Sequence, residues 1–449
     1  MCRFTEKYSI RIIRLNNLRR EELERITTRW RLDEEQVKKA WKFFKDVCSR
    51  GDESIRDFYQ DYYGLPRDTP IEVLDYEVKD AFKKTNDEMM GSLLRIRDRI
   101  KRFNQEILAG LKEAWMIRVE PGVYLGQIIR PIDRIAAYIP GGLYPYPSTA
   151  LMTIVPARVA GCNTVLAASP PRGNGEPGID PSIVVAAVIA GADKIYRLGG
   201  VQAAAAFACG TETVPRVDKI VGPGGPWFTA GKYLASSMTG IDMLAGPSEI
   251  MVLSDGTGDP GLIALDLLAQ AEHGVLSSSI LVTTSERQAE SVAGEIVSWL
   301  DKAPNKARET AWESLSRYGG IFIADNLVEA VDFINKYAPE HLEVIVSPEN
   351  TWRVLEKIES AGTVFYGEYS ATALGDYSLG SNHVLPTSGL ARSRGGLSVL
   401  DYVKIIDVQY VEPEGLLAAG PDASLLAGIE GFFYHKKSID TRLDKIRGR

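Results

Sequence analysis

The 449-residue chain carries 52 Lys and Arg against 59 Asp and Glu, a formal net charge of −7, and is long enough to bury the cores of two or three domains. Its basic residues form no long run, and the modest excess before Leu32 is interleaved with Glu21, Glu22 and Glu24 on a helical spacing, the mark of a solvated helix face, so nucleic acid is not expected as a partner. The longest apolar region, about Ala150 to Ala168, is broken by Pro156, Arg158 and Asn163 and falls short of the roughly 20 apolar residues that a membrane span needs.

Residues 1–125 read as a mostly helical N-terminal region. In "EELERITTRWRLDEEQVKKAWKFFKDVCSRGDESIRDFYQDYY" apolar and aromatic residues recur three and four apart, and Gly51 is a stop. From about Asp133 short β runs alternate with Ala-rich helices. "STALMTIVPARVAG" is helical and closes on a glycine, "NTVLAAS" is a strand, "DPSIVVAAVIAG" opens with Asp180 as cap and Pro181 in the first turn, and "DKIYRLGG" is the next strand. Residues 126–240 are expected to form a first Rossmann-like unit on this alternation. Residues 241–388 are expected to form a second, with "EIMVLSD", "SSILVTTS", "GGIFIAD", "LEVIVS" and "TVFYGEY" as strands between helices. Residues 389–449 thin into a strand and helix too small to stand alone, a tail that needs a partner surface. The fold class is therefore α/β, two tandem doubly wound units with a helical N-terminal region and a small C-terminal tail. Cys2, Cys48, Cys162 and Cys209 include no C-x-x-C pair and nothing resembles a signal peptide, which points to reduced thiols in a cytoplasmic protein.

Chemistry concentrates around the four histidines. Gln270 and His273, in "LLAQAEHG", lie three apart on one helical face, either a helix end capped by imidazole or a metal clip of N and O donors. Glu340 and His341 are adjacent in "YAPEHLE", where they can divide acid–base work or pair on the surface, and the junction enters a strand, so topology alone does not place it in a crevice. Asp376 and His383 occupy the Gly- and Ser-rich "GDYSLGSNHVLPT"; Glu430 and His435 sit in the tail motif "IEGFFYH". "VGPGGPWF" is a glycine-rich turn between strand and helix, but not the G-x-G-x-x-G dinucleotide fingerprint.

Taken in order, "YIPGGLYPYPST", "LGGVQAAAAFACGTE", "GPGG", "DMLAGPSE", "LLAQAEHG", "YAPEHLE", "GDYSLGSNHVLPT" and "EGFFYH" resemble the successive signatures of the histidinol dehydrogenase family over roughly residues 25–440. The resemblance implies an NAD-dependent, zinc-containing homodimer that oxidises L-histidinol through the aldehyde to L-histidine, the last step of histidine synthesis. It assigns zinc to Gln270, His273, Asp376 and His435, and catalysis to Glu340 and His341. It assigns substrate contacts to Ser248, His383 and Glu430 beside the four metal ligands and His341, and nucleotide contacts to Tyr138 and Gln202. It also implies that the tail carrying Glu430 and His435 completes the neighbouring subunit's site. Gly225 departs from the Asn that the family usually has after "GPG", and Leu244 stands where proline is common. The alternative is a paralogous zinc- and NAD-dependent dehydrogenase of another small amino or sulfonated alcohol; a sulfonate would want a cation beside the pocket, and Gly141 to Ala150 supplies none.

Overall fold

The computed structural model describes residues 8–27, 32–141, 144–172 and 175–448, so Cys2 and two residues of the "YIPGGLYPYPST" motif, 142 and 143, lie outside the described residues. Two parallel sheets dominate. The first has the order Lys194–Arg197, Thr164–Ser169, Arg134–Tyr138, Lys219–Val221, Gly240–Ile241. Its crossover helices Pro147–Ala160 and Pro181–Ala190 are apolar nearly all round, as helices buried on most sides must be, and each ends on a left-handed glycine, Gly161 (φ 88°) and Gly191 (φ 105°). Strand order reverses between Arg134–Tyr138 and Lys219–Val221, so a crevice opens beyond their carboxyl ends.

The second sheet runs Ile12–Arg14, Gly320–Ile323, Ser278–Thr283, Glu249–Ser254, His341–Ile345, Thr363–Tyr366, all parallel. Its first edge strand comes from the N-terminal region: three residues pairing with Ile321–Ile323, too short to register as a β period beside the long helices that follow. Residues 114–125 also depart from the helical reading. Ala114–Glu120 and Val123–Pro131 form a hairpin through Gly122 (φ 75°), and Val403–Val411 of the tail joins it as the third antiparallel strand. Helices Pro413–Ile429 and Phe433–Ile446 complete the tail. There Ile429, Phe433 and Tyr434 are 72, 68 and 82% exposed.

The expectation of reduced cysteines needs one correction. Cys48 and Cys209, 161 residues apart, form a disulfide between helices Glu34–Arg50 and Gly200–Cys209, a pairing that sequence spacing could not reveal; Cys162 is free and buried. No helix among the described residues is long and apolar enough to cross a membrane.

Candidate active site

A cavity of about 480 Å³ lies where the carboxyl ends of the first sheet face the amino ends of the second. Glu340 and His341 enter it from the start of strand His341–Ile345, just after helix Leu327–Tyr337 ends on Ala338 in the left-handed region (φ 57°). Ser388 (φ 56°) is the other described non-glycine residue with positive φ, and its N–H donates to Glu249 across the site at 2.9 Å. Such backbone persists only where surrounding contacts over-determine it, and here both instances flank the same cavity.

Glu340 Oε2 accepts from Glu249 N at 2.7 Å and lies 3.6 Å from His341 Nδ1. His341 Nδ1 is 3.0 Å from the Glu249 carbonyl, the contact of a donating N–H, which turns Nε2 toward Asp376 Oδ1 at 3.3 Å. Burial pushes His341 down, but Glu340 and Asp376 overcome it and raise the imidazole to about 9. Burial pushes Glu340 up to about 8, whereas Asp376, although buried, is held below the usual carboxylate range by His341. At neutral pH the trio therefore holds an imidazolium against an ionised Asp376, with Glu340 next to titrate.

Gln270 is buried in the last turn of helix Pro260–Ala271, and its Nε2 has no hydrogen-bond partner. His273 lines the cavity just beyond that helix, and burial lowers its pKa, keeping it neutral. Asp376 comes from the short helix Thr372–Tyr377. His383 Nδ1 donates to the Asp376 carbonyl at 2.9 Å and its Nε2 accepts from Thr149 Oγ1 at 2.9 Å; burial keeps it neutral too. Ser248 lines the same cavity. Thr149 was not singled out from sequence, because only the tertiary fold brings its helix to His383.

Glu430 and His435 are not brought to this cavity within one chain. Both are exposed on the tail, and the His435 ring packs on Phe432 at 5.1 Å. Tyr138 and Gln202 are buried in the first unit: Tyr138 ends its strand, stacks on Phe228 at 3.7 Å and accepts from Gly200 N at 3.3 Å, and Gln202 lies in the first turn of helix Gly200–Cys209. Between them and the cavity runs the turn Gly222–Gly225. A Cβ at Gly222 (φ 112°) would sit 2.3 Å from the Tyr138 carbonyl oxygen, so the close approach requires glycine. A Cβ at Gly225 would meet nothing within 4 Å.

A family model for histidinol dehydrogenase matches residues 27–443. The chain is 42% identical over 401 residues to the histidinol dehydrogenase of Geobacter sulfurreducens, covering 89% of this chain and 91% of that one. It is 39% identical over 434 residues to that of Methanocaldococcus jannaschii, covering 96% and 98%. The chain belongs to the histidinol dehydrogenase family. The crystal structure of histidinol dehydrogenase from Elizabethkingia anophelis matches with a TM-score of 0.90 over 98% of this chain and 99% of that one, at 33% identity. These relatives carry the histidinol dehydrogenase name, which does not favour the sulfonated-alcohol alternative. Among the described residues no three His, Cys, Asp or Glu side chains are grouped to hold a metal ion.

Proposed function

We propose that the chain oxidises L-histidinol through its aldehyde to L-histidine with two NAD⁺, as a zinc-containing homodimer of the cytoplasm. The observation that carries the reading is His341, buried between Glu340 and Asp376 in the cavity that His273 also faces.

The residues present fit zinc bound by N and O donors. Gln270 has a buried amide whose Nε2 has no partner, His273 is neutral, and Asp376 is ionised. These three would hold the metal with His435 of the partner subunit as the fourth donor. In support, the tail exposes Ile429, Phe433 and Tyr434, an apolar surface of the kind that marks an interface. Glu430 of the partner subunit would reach the substrate by the same route. When bound, zinc supplies the positive charge that grips the substrate's neutral amine and imidazole nitrogens and offsets the field of Asp376. NAD⁺, when bound, would supply the hydride acceptor for both oxidations.

Next to the positive charge of zinc His341 and Glu340 would give up their protons, so the neutral His341 takes the hydroxyl proton as the first hydride leaves carbon, giving the aldehyde. Glu340, as carboxylate, removes a proton from the water that adds to that aldehyde, while His341 gives the proton it took to the former carbonyl oxygen and is neutral again. His341 then removes a proton from the resulting hydrate as the second hydride departs, giving the carboxylic acid. Each general-base contribution is worth about 10²–10⁴-fold. Ser248 and His383 contact the substrate from the cavity wall. Tyr138 and Gln202 hold the nucleotide beside Gly222–Gly225, with the N-termini of helices Gly200–Cys209 and Pro226–Ala235 supplying N–H groups suited to phosphate.

The test is NADH released per histidinol consumed, with and without chelator. A ratio near two that collapses on chelation supports the four-electron, zinc-dependent reading. A ratio near one, or full turnover after complete zinc removal, refutes it.

A further inference from the structure

Behind the cavity lies a second pair of carboxyl groups that the reaction does not use. Glu343 follows His341 by two residues, so both side chains leave the same face of strand His341–Ile345, while Leu342 points into the apolar cluster on the other face. Glu343 Oε1 accepts from Thr372 N at 2.7 Å and Thr372 Oγ1 at 2.6 Å, holding the first turn of the helix that carries Asp376 four residues later. Glu343 Oε2 is buried and accepts from no N–H or hydroxyl group, and the carboxyl group hydrogen-bonded to Glu343 is that of Asp266. Asp266 in turn lies four residues before Gln270, on the same face of helix Pro260–Ala271.

We propose that the Asp266–Glu343 carboxyl pair is a positioning device that fixes the separation of the three elements bearing Gln270, His341 and Asp376. One structural repeat separates each member of the junction from a functional residue: 266 to 270, 343 to 341, 372 to 376. Two carboxyl groups can share a hydrogen bond only through a proton. Burial, followed by the charge of Glu343, pushes Asp266 well above the usual carboxylate range, so the pair holds one proton at neutral pH and the Asp266 O–H donates a hydrogen bond to Glu343. An apolar contact would leave the helix end and the strand free to slide, whereas a short directional bond does not. Neither residue lines the cavity.

The inference rests on the zinc-site reading above, and the experiment separates the two. Zinc affinity is measured by chelator competition on Asp266→Leu, Asp266→Asn and, as control, Asp376→Asn, with circular dichroism and melting curves to establish folding and with kcat and the KM for NAD⁺ alongside. Asp266→Leu should weaken zinc binding roughly 10- to 100-fold, as loss of a partner behind a metal ligand does, and lower kcat without raising the KM for NAD⁺. Asp266→Asn, whose amide still donates to Glu343, should stay close to wild type. Asp266→Ala, which leaves room for a water, takes the place of the leucine variant if that fails to fold. Wild-type zinc affinity in the folded Leu or Ala variant, while Asp376→Asn loses zinc, overturns this inference alone. Zinc retained by Asp376→Asn overturns the site reading and the inference with it.

Discussion

Replacing Lys232 with Met should damage the nucleotide side of the site through a charge that no ligand touches. Lys232 Nζ lies 2.6 Å from Asp242 Oδ1, with the two side chains 2% and 0% exposed, and it also donates to the Gly222 carbonyl at 2.7 Å. Asp242 accepts from Gly222 N at 2.7 Å and from Met243 N at 2.6 Å, so the pair grips Gly222 from both its N–H and its C=O. That residue begins the turn beneath Tyr138 and Phe228. Lys232→Met leaves a fully buried carboxylate with backbone donors only and orphans a carbonyl. Breaking such a pair from one side costs about 3–5 kcal/mol. Equilibrium urea unfolding should show this loss, and steady-state kinetics should show a raised KM for NAD⁺ with the histidinol KM little changed. Lys38, 2.7 Å from Glu35 but paired on an exposed face, serves as control: Lys38→Met should leave stability unresolved from wild type. A Lys232→Met protein within about 1 kcal/mol of wild type, binding NAD⁺ normally, would refute the reasoning.

The zinc-stripped protein should lose stability as pH rises. His341 is raised from 6.5 to about 9 and Glu340 from 4.5 to about 8. The folded state thus binds more protons than the unfolded one, so each contribution is complete below the ordinary pKa and lost as pH climbs through the raised one. Melting temperature should fall between about pH 5 and 9, and less steeply in Glu340→Gln; a flat or rising profile in wild type contradicts the protonation scheme. Gly225→Asn should lower the KM for NAD⁺, since the added side chain meets open space and a helix N-cap accepts Asn readily; a higher KM would show that the bare backbone is the better contact. Reduction of Cys48–Cys209, or Cys209→Ser, should destabilise the chain by about 5 kcal/mol on the loop-closure estimate for a 161-residue separation. An unchanged melting curve after confirmed reduction would contradict that staple.

The doubly wound units were legible because their punctuation is local: Asp180 caps a helix that Gly191 ends at φ 105°, and the next strand follows at once. The edge strand Ile12–Arg14 was not, because three residues contain no period and its pairing with Ile321–Ile323 exists only in the folded chain. His341 and Asp376 could be named from motifs, yet their 3.3 Å separation depends on two distant elements meeting. The carboxyl-end rule left Glu340 and His341 unplaced, and the reason is visible in the fold: they stand at the amino end of their strand, facing the carboxyl ends of the other sheet. Lys232–Asp242 and Asp266–Glu343 were invisible for the same reason as the disulfide. Each residue reads as an ordinary solvated charge until the fold brings its partner to it.

The most direct measurement is anomalous scattering at the zinc edge from a crystal of the zinc-loaded protein. One peak per site is expected, about 2.0–2.2 Å from donors on Gln270, His273, Asp376 and His435 of the partner subunit. A peak bound by other residues, or a fully occupied site at which no neighbouring chain supplies a ligand, would contradict the account.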